Sequence, residues 1–182
     1  MKKLMVALAL GAMALGSIAA QAQPKAKDRV VIGGSLEPPV LDPSLNAASA
    51  IREITYQNIY ESLGRINSDG KIVPGLADSW TISPDGKTYT FKLHPNVKFH
   101  NGEMLTAEDV KFSLDRLIAP DSKAPGRSLY GAIEKVEVVD PATVKLSLKA
   151  PDAYLLFNLS IADAAIVEPK SAATNGTNPI GT

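Results

Sequence analysis

Three turn signatures constrain the middle of this chain more tightly than any other feature. Asp69-Gly70, Asp85-Gly86 and Asn101-Gly102 each supply the positive φ that a tight reversal needs. Around the second pair the side chains alternate. Ser79-Trp80-Thr81-Ile82 leads into it, and Tyr89, Phe91 and Leu93 then interleave with Thr88, Thr90 and Lys92. A period of two with one apolar face predicts a half-buried hairpin. Val97 and Phe99 extend the β region to the third turn. A second hairpin follows, with Val136 and Val138 on one arm, Val144, Leu146 and Leu148 on the other, and Asp140-Pro141-Ala142 between them.

Elsewhere the period becomes helical. Residues 49–63 predict a helix from Ile51, Ile54, Tyr56, Ile59, Tyr60 and Leu63, with Gly64 as its stop. Thr106 starts a second helix, and Asp109 three residues on forms a capping box with Asp in place of Glu. Val110, Leu114, Leu117 and Ile118 make its apolar stripe and Pro120 ends it. Asp115-Arg116 falls on the outer, solvated face. Residues 121–126 predict an exposed loop, 152–159 a short apolar helix, 164–167 a strand, and 171–178 a polar, turn-rich tail. Upstream, the β-branched run at Val30 to Gly33 predicts a buried strand, and Pro38, Pro39 and Pro43 an extended connection. The class is α+β.

The first residues have a different purpose. Lys2 and Lys3 precede an apolar run from Leu4 to Ile18, and Ala20-Gln21-Ala22 offers small residues around a cleavage point. That order is a secretory signal, with cleavage expected after Ala22. The run is short of the ~20 residues that span a bilayer. The chain has no cysteine, so the expected product is a periplasmic protein with no lipid-bearing cysteine. Thiolate nucleophiles, disulfides and cysteine-ligated metals are excluded with it. Lys plus Arg and Asp plus Glu each number 19, a formal net charge of zero, which argues against nucleic acid as partner.

Catalytic candidates are sparse. His94 and His100 are the only histidines, and no metal-ligand spacing or G-x-S-x-G elbow accompanies them. They are read as surface or structural residues. Gly33-Gly34 lacks both phosphate-binding glycine patterns. Trp80, Tyr56, Tyr60, Tyr89 and Tyr130 are read as core aromatics. No catalytic residue, metal or cofactor is assigned, and binding is favoured over catalysis.

The order of the motifs is more specific than any one of them. Leu41-Asp42-Pro43, Asn58-Ile59-Tyr60-Glu61-Ser62-Leu63, Pro74-Gly75-Leu76-Ala77-Asp78-Ser79-Trp80, Asp85 to Leu93, Val97 to Gly102 and Leu105 to Val110 follow one another. This series resembles the N-terminal part of the family 5 extracellular solute-binding proteins, the peptide- and nickel-type receptors of ABC importers. The resemblance implies a periplasmic-binding-protein-like α+β fold, type II and two-lobed when intact. Residues 1–22 would be the signal peptide, 23–59 a leader and the start of ligand-binding lobe 1, 60–167 an extra α+β domain, and 168–182 the return to lobe 1. Asn178-Pro179-Ile180-Gly181-Thr182 resembles the re-entry motif of the family, and a chain truncated inside it is expected.

By the same resemblance the ligand-contacting residues are Asn46, Ala47, Ala48 and Ser49, just after Leu-Asp-Pro, and Ala124, Pro125 and Gly126. An acidic residue that holds the ligand's amino end in some peptide receptors has no counterpart at 46–49. The implied partners are a small peptide-like solute, a di- or oligopeptide, and an inner-membrane ABC permease, with a monomer as the complete protein. The alternative reading is a stand-alone exported interaction domain derived from such a receptor.

Overall fold

Antiparallel pairing between distant hairpins organises the computed structural model, which describes residues 33–182. Strands β3 (Ala77–Ile82) and β4 (Thr88–Leu93) form the first hairpin, and β5 (Ile133–Asp140) and β6 (Thr143–Leu148) the second. β4 pairs with β6, so one four-stranded sheet runs β3-β4-β6-β5. Phe91 stands opposite Val144 and Tyr89 opposite Leu146. The inward positions predicted from the alternation are buried: Tyr89, Phe91 and Leu93 on β4, and Val144, Leu146 and Leu148 on β6. Gly86 has φ 68°, as the turn requires. Burying each such side chain contributes about 1.5–3 kcal/mol.

The long helix, α2 (Ala107–Ile118), packs on β5 and β6. Its capping box forms as the sequence predicts: the Thr106 amide donates to Asp109 Oδ2 at 2.8 Å. Val110, Leu114 and Leu117 are buried, and Ile118 packs beside them. A 3-10 turn at Arg127–Tyr130 and a four-residue helix, α3 (Leu155–Asn158), close the other side of this core. The Tyr130 hydroxyl joins them, donating to Asn158 O at 2.8 Å. A smaller sheet pairs β1 (Gly64–Ile66) with β2 (Ile72–Pro74) around the Asp69-Gly70 turn.

Several expectations are corrected. The helix predicted over 49–63 is only α1 (Ser49–Thr55). Tyr56 turns extended and Gln57 takes φ 60°. The Tyr56 hydroxyl reaches Ser160 O at 2.5 Å, and Tyr60 and Leu63 are buried in a chain that no longer winds. These tertiary contacts outweigh the local period. Gly64 consequently opens β1. Ala164, Ile166 and Val167 are buried and Ala165 is half-buried, but the stretch does not form a strand. The Ile166 amide bonds to Glu61 O and the Val167 amide to Ser113 Oγ, and no ladder forms there among the described residues. The apolar helix expected over 152–159 is confined to α3. The extension past Leu93 is a single bridge, Lys98 to Met104. The signal peptide and the strand expected from Val30 lie outside the described residues, apart from Gly33.

Candidate functional site

Proline after aspartate sets up the first part of the site. Pro43 fixes one backbone torsion, and the Asp42 carboxylate then folds the chain back on itself. Its Oδ1 accepts from the Ser44 amide at 2.9 Å and from Ser44 Oγ at 2.6 Å. Asp42 is fully buried, and its charge is met by Arg116, whose Nη2 donates to Oδ2 at 2.7 Å. Arg116 is thus not on a solvated face, as the sequence led us to expect, while its neighbour Asp115 pairs with Lys111 on the helix surface. Removing one partner from such a pair leaves a buried charge uncompensated, at a cost of about 3–5 kcal/mol. Tyr60 lies close by. Burial pushes its phenol well above the usual range, the Asp42 charge adds to this and Arg116 opposes it. Its hydroxyl is buried without a hydrogen-bond partner among the described residues.

The next residues lead into α1. Asn46 Oδ1 accepts from the Ala48 amide at 2.9 Å. Asn46, Ala47 and Ser49 are exposed and Ala48 is half-buried. Ala47 O accepts from Arg52 Nη1 at 3.3 Å. The same guanidinium forks onto Asp163, with Nη2 to Oδ1 at 2.8 Å and Nε to Oδ2 at 3.1 Å. Asp163 is nearly buried and lies against Gly126, where an added Cβ would stand 2.7 Å from Oδ1. Arg52 and Asp163 therefore tie the segment at Asn46, Ala47, Ala48 and Ser49 to the loop at Ala124, Pro125 and Gly126.

A cavity of about 420 Å³ is lined among others by Ser44, Leu45, Arg116, Asp121, Ser122 and Lys123, and of the seven residues expected to contact solute only Ala124 lines it. Two cations and two hydroxyls at its wall can receive carboxylate or amide groups, and the Asp121 carboxylate can accept from a donor. Pro125 instead borders a separate cavity of about 510 Å³, with Arg127 and Lys149. The histidines lie elsewhere. His94 Nδ1 is 3.7 Å from Asp78, and His100 Nδ1 accepts from the Gly181 amide at 3.3 Å. Among the described residues no cluster of His, Cys, Asp or Glu could hold a metal ion. The four residues that frame the site, Asp42, Arg116, Arg52 and Asp163, were not assigned from sequence. Only Asp42, within Leu-Asp-Pro, carried a visible signal.

Comparison with known proteins covers most of the chain. Residues 71–182 match the family described as bacterial extracellular solute-binding proteins, family 5, middle region. The glutathione-binding protein GsiB of Pectobacterium atrosepticum is 38% identical over 161 residues, which is 86% of this chain and 31% of GsiB. GsiB of Salmonella typhi is 38% identical over 178 residues, 95% of this chain and 34% of its own length. The chain thus spans about a third of the length of these relatives. Among solved structures, AgaA of A. tumefaciens R10 with agropinic acid superposes with a TM-score of 0.74 at 36% identity, over 80% of this chain and 30% of AgaA. Haemophilus influenzae OppA in complex with the peptide RPPGFSPFR superposes with a TM-score of 0.72 at 29% identity, over 80% of this chain and 33% of OppA.

Proposed function

Since the chain belongs to the bacterial extracellular solute-binding proteins of family 5, we propose that it captures a small peptide-like solute in the periplasm and delivers it to an inner-membrane ABC permease. The observation that carries this reading is the joining of the two candidate segments. Arg52, bonded to Ala47 O, pairs with Asp163, which lies against Gly126, and Ala124 of the same loop lines a cavity that presents Arg116, Lys123 and Ser44. Such a wall, with Arg116 and Lys123 beside Asp121, suits a solute that carries both carboxylate and amino or amide groups. Glutathione is the first probe, followed by dipeptides, because GsiB is named for glutathione and OppA was solved with a peptide. Asn46, Ala47, Ala48, Ser49, Ala124, Pro125 and Gly126 are the proposed solute contacts.

The same reading assigns 23–59 and 168–182 to one lobe and 60–167 to an extra domain. One contact of the last residues supports it: the Leu41 amide donates to Gly176 O at 2.8 Å. The second reading, a stand-alone exported interaction domain, draws on the compactness of Gly34–Thr182 as one unit with its own core.

The test uses the native protein from an osmotic-shock fraction. Its N-terminus is expected at Gln23, and its unfolding temperature is expected to rise with glutathione or a dipeptide. At a hundredfold excess over Kd the stabilisation is about 2.7 kcal/mol. No rise with glutathione, dipeptides, an opine or a nickel–histidine complex would overturn the receptor reading and leave the interaction domain.

A further inference from the structure

One side chain of α2 does something its helix does not need. The buried stripe of Val110, Leu114 and Leu117 already docks α2 on the sheet. Arg116 adds nothing to that stripe. It leaves the helix and crosses to Asp42, 74 positions away in sequence. The two oxygens of that carboxylate are divided between two tasks. Oδ2 receives Arg116, and Oδ1 receives both the amide and the hydroxyl of Ser44. Ser44 and Leu45 then form the rim of the same cavity that Arg116 lines.

We propose that Arg116 is a positioning residue for the solute wall: through the Asp42 carboxylate it presets the backbone at Ser44 and Leu45 before any solute arrives. The inference rests on the receptor reading for the meaning of that wall, but not for the relay itself. An exposed chain segment gains affinity when its bound shape is fixed beforehand, because less ordering remains to be done on binding. Local bonds shape this stretch, from the Leu45 amide to Asp42 O and from the Ala48 amide to Asn46 Oδ1, but none of them fixes the Asp42 carboxylate itself. The guanidinium does, because it keeps its charge and offers several donors in one plane. One donor holds Asp42, and the same side chain lines the cavity.

The test is amide hydrogen exchange on the exported protein without solute, comparing the natural protein with Arg116→Gln, Arg116→Lys and Ser44→Ala. Arg116→Gln is expected to lower global stability, which exchange in β4 and β6 reports, and to speed exchange at positions 44 and 45 at least tenfold beyond that change. Arg116→Lys, which keeps the charge, is expected to restore part of the protection. Should Arg116→Gln fail to fold, Ser44→Ala leaves the buried pair intact and is still expected to speed exchange at 44 and 45 alone. Acceleration at 44 and 45 no greater than that across the sheet, or unchanged exchange at 44 and 45, would overturn the proposal. Local acceleration in a protein whose native form binds none of the solutes above would uphold the relay and remove the receptor reading instead.

Discussion

Replacing Gly126 by alanine is expected to destabilise the protein through a single contact. The backbone there is ordinary, φ −80° and ψ 0°, so any residue can adopt it. The space is not. A new Cβ would stand 2.7 Å from Asp163 Oδ1 and 3.1 Å from its Cβ and Cγ. Asp163 cannot simply swing aside, because two hydrogen bonds from Arg52 hold both its oxygens. Overpacking of this kind costs about 1–3 kcal/mol. For a chain of this size that lowers the unfolding temperature by about 2–4 °C per kcal/mol. Trp80, the only tryptophan, packs against Phe91 at 6.3 Å between ring centroids and reports the transition by fluorescence. The decisive measurement is the double mutant. Asp163→Ala alone should cost about 1–3 kcal/mol for its lost charged hydrogen bonds. Arg52 is 38% exposed and can rehydrate, which favours the lower end. With the carboxylate gone, only the Cβ of residue 163 remains, 3.1 Å away, so Gly126→Ala should cost less than in the natural protein, with a coupling of about 1 kcal/mol. An equal cost of Gly126→Ala in both backgrounds would refute the argument.

Two further outcomes follow from buried polar groups. Burial pushes the phenols of Tyr60, Tyr130 and Tyr89 upward, with nearby Asp42, Asp163 and Asp152 adding to the effect in that order. The folded state therefore keeps these phenols neutral where the unfolded chain ionises them. That stability is complete below about pH 10 and is lost as the pH rises further. Urea midpoints should be flat from about pH 7 to 9 and fall beyond about pH 10, and Tyr130→Phe should soften that fall; a decline that leaves Tyr130→Phe and the natural protein parallel would contradict it. Ser113→Ala removes the acceptor of the buried Val167 amide, 2.9 Å away. It should cost about 1–3 kcal/mol in urea unfolding, and a change under about 0.5 kcal/mol would show that the amide finds another partner.

The hairpins were legible because their information is local. Asp85-Gly86 and Asp140-Pro141-Ala142 specify their turns within a few residues, and alternation specifies the face. The α2 capping box was legible for the same reason, since Thr106 and Asp109 are three residues apart. The end of α1 was not, because it is decided by Ser160 and by the burial of Tyr60, a hundred residues apart in the first case. The strand expected at 164–167 failed similarly: a β-branched, apolar run signals burial, and only the surroundings decide whether a partner strand exists. At the candidate site the family resemblance supplied two segments. Arg52–Asp163 and Arg116–Asp42 join residues 111 and 74 positions apart, and no local pattern in a single sequence announces such pairs.

The pairing of β4 with β6 has a kinetic consequence. Lys92 and Thr143 are partners, with about fifty residues between them. Closing a loop of that length costs about 2 kcal/mol more entropy than closing a five-residue turn. Each hairpin can therefore zip by itself, whereas their mutual docking is the slow search. Everything between the two hairpins travels with that search, including α2, Arg116 and the loop at 124–126. The wall of the candidate site is thus expected to assemble late in folding, together with the docking of the two hairpins.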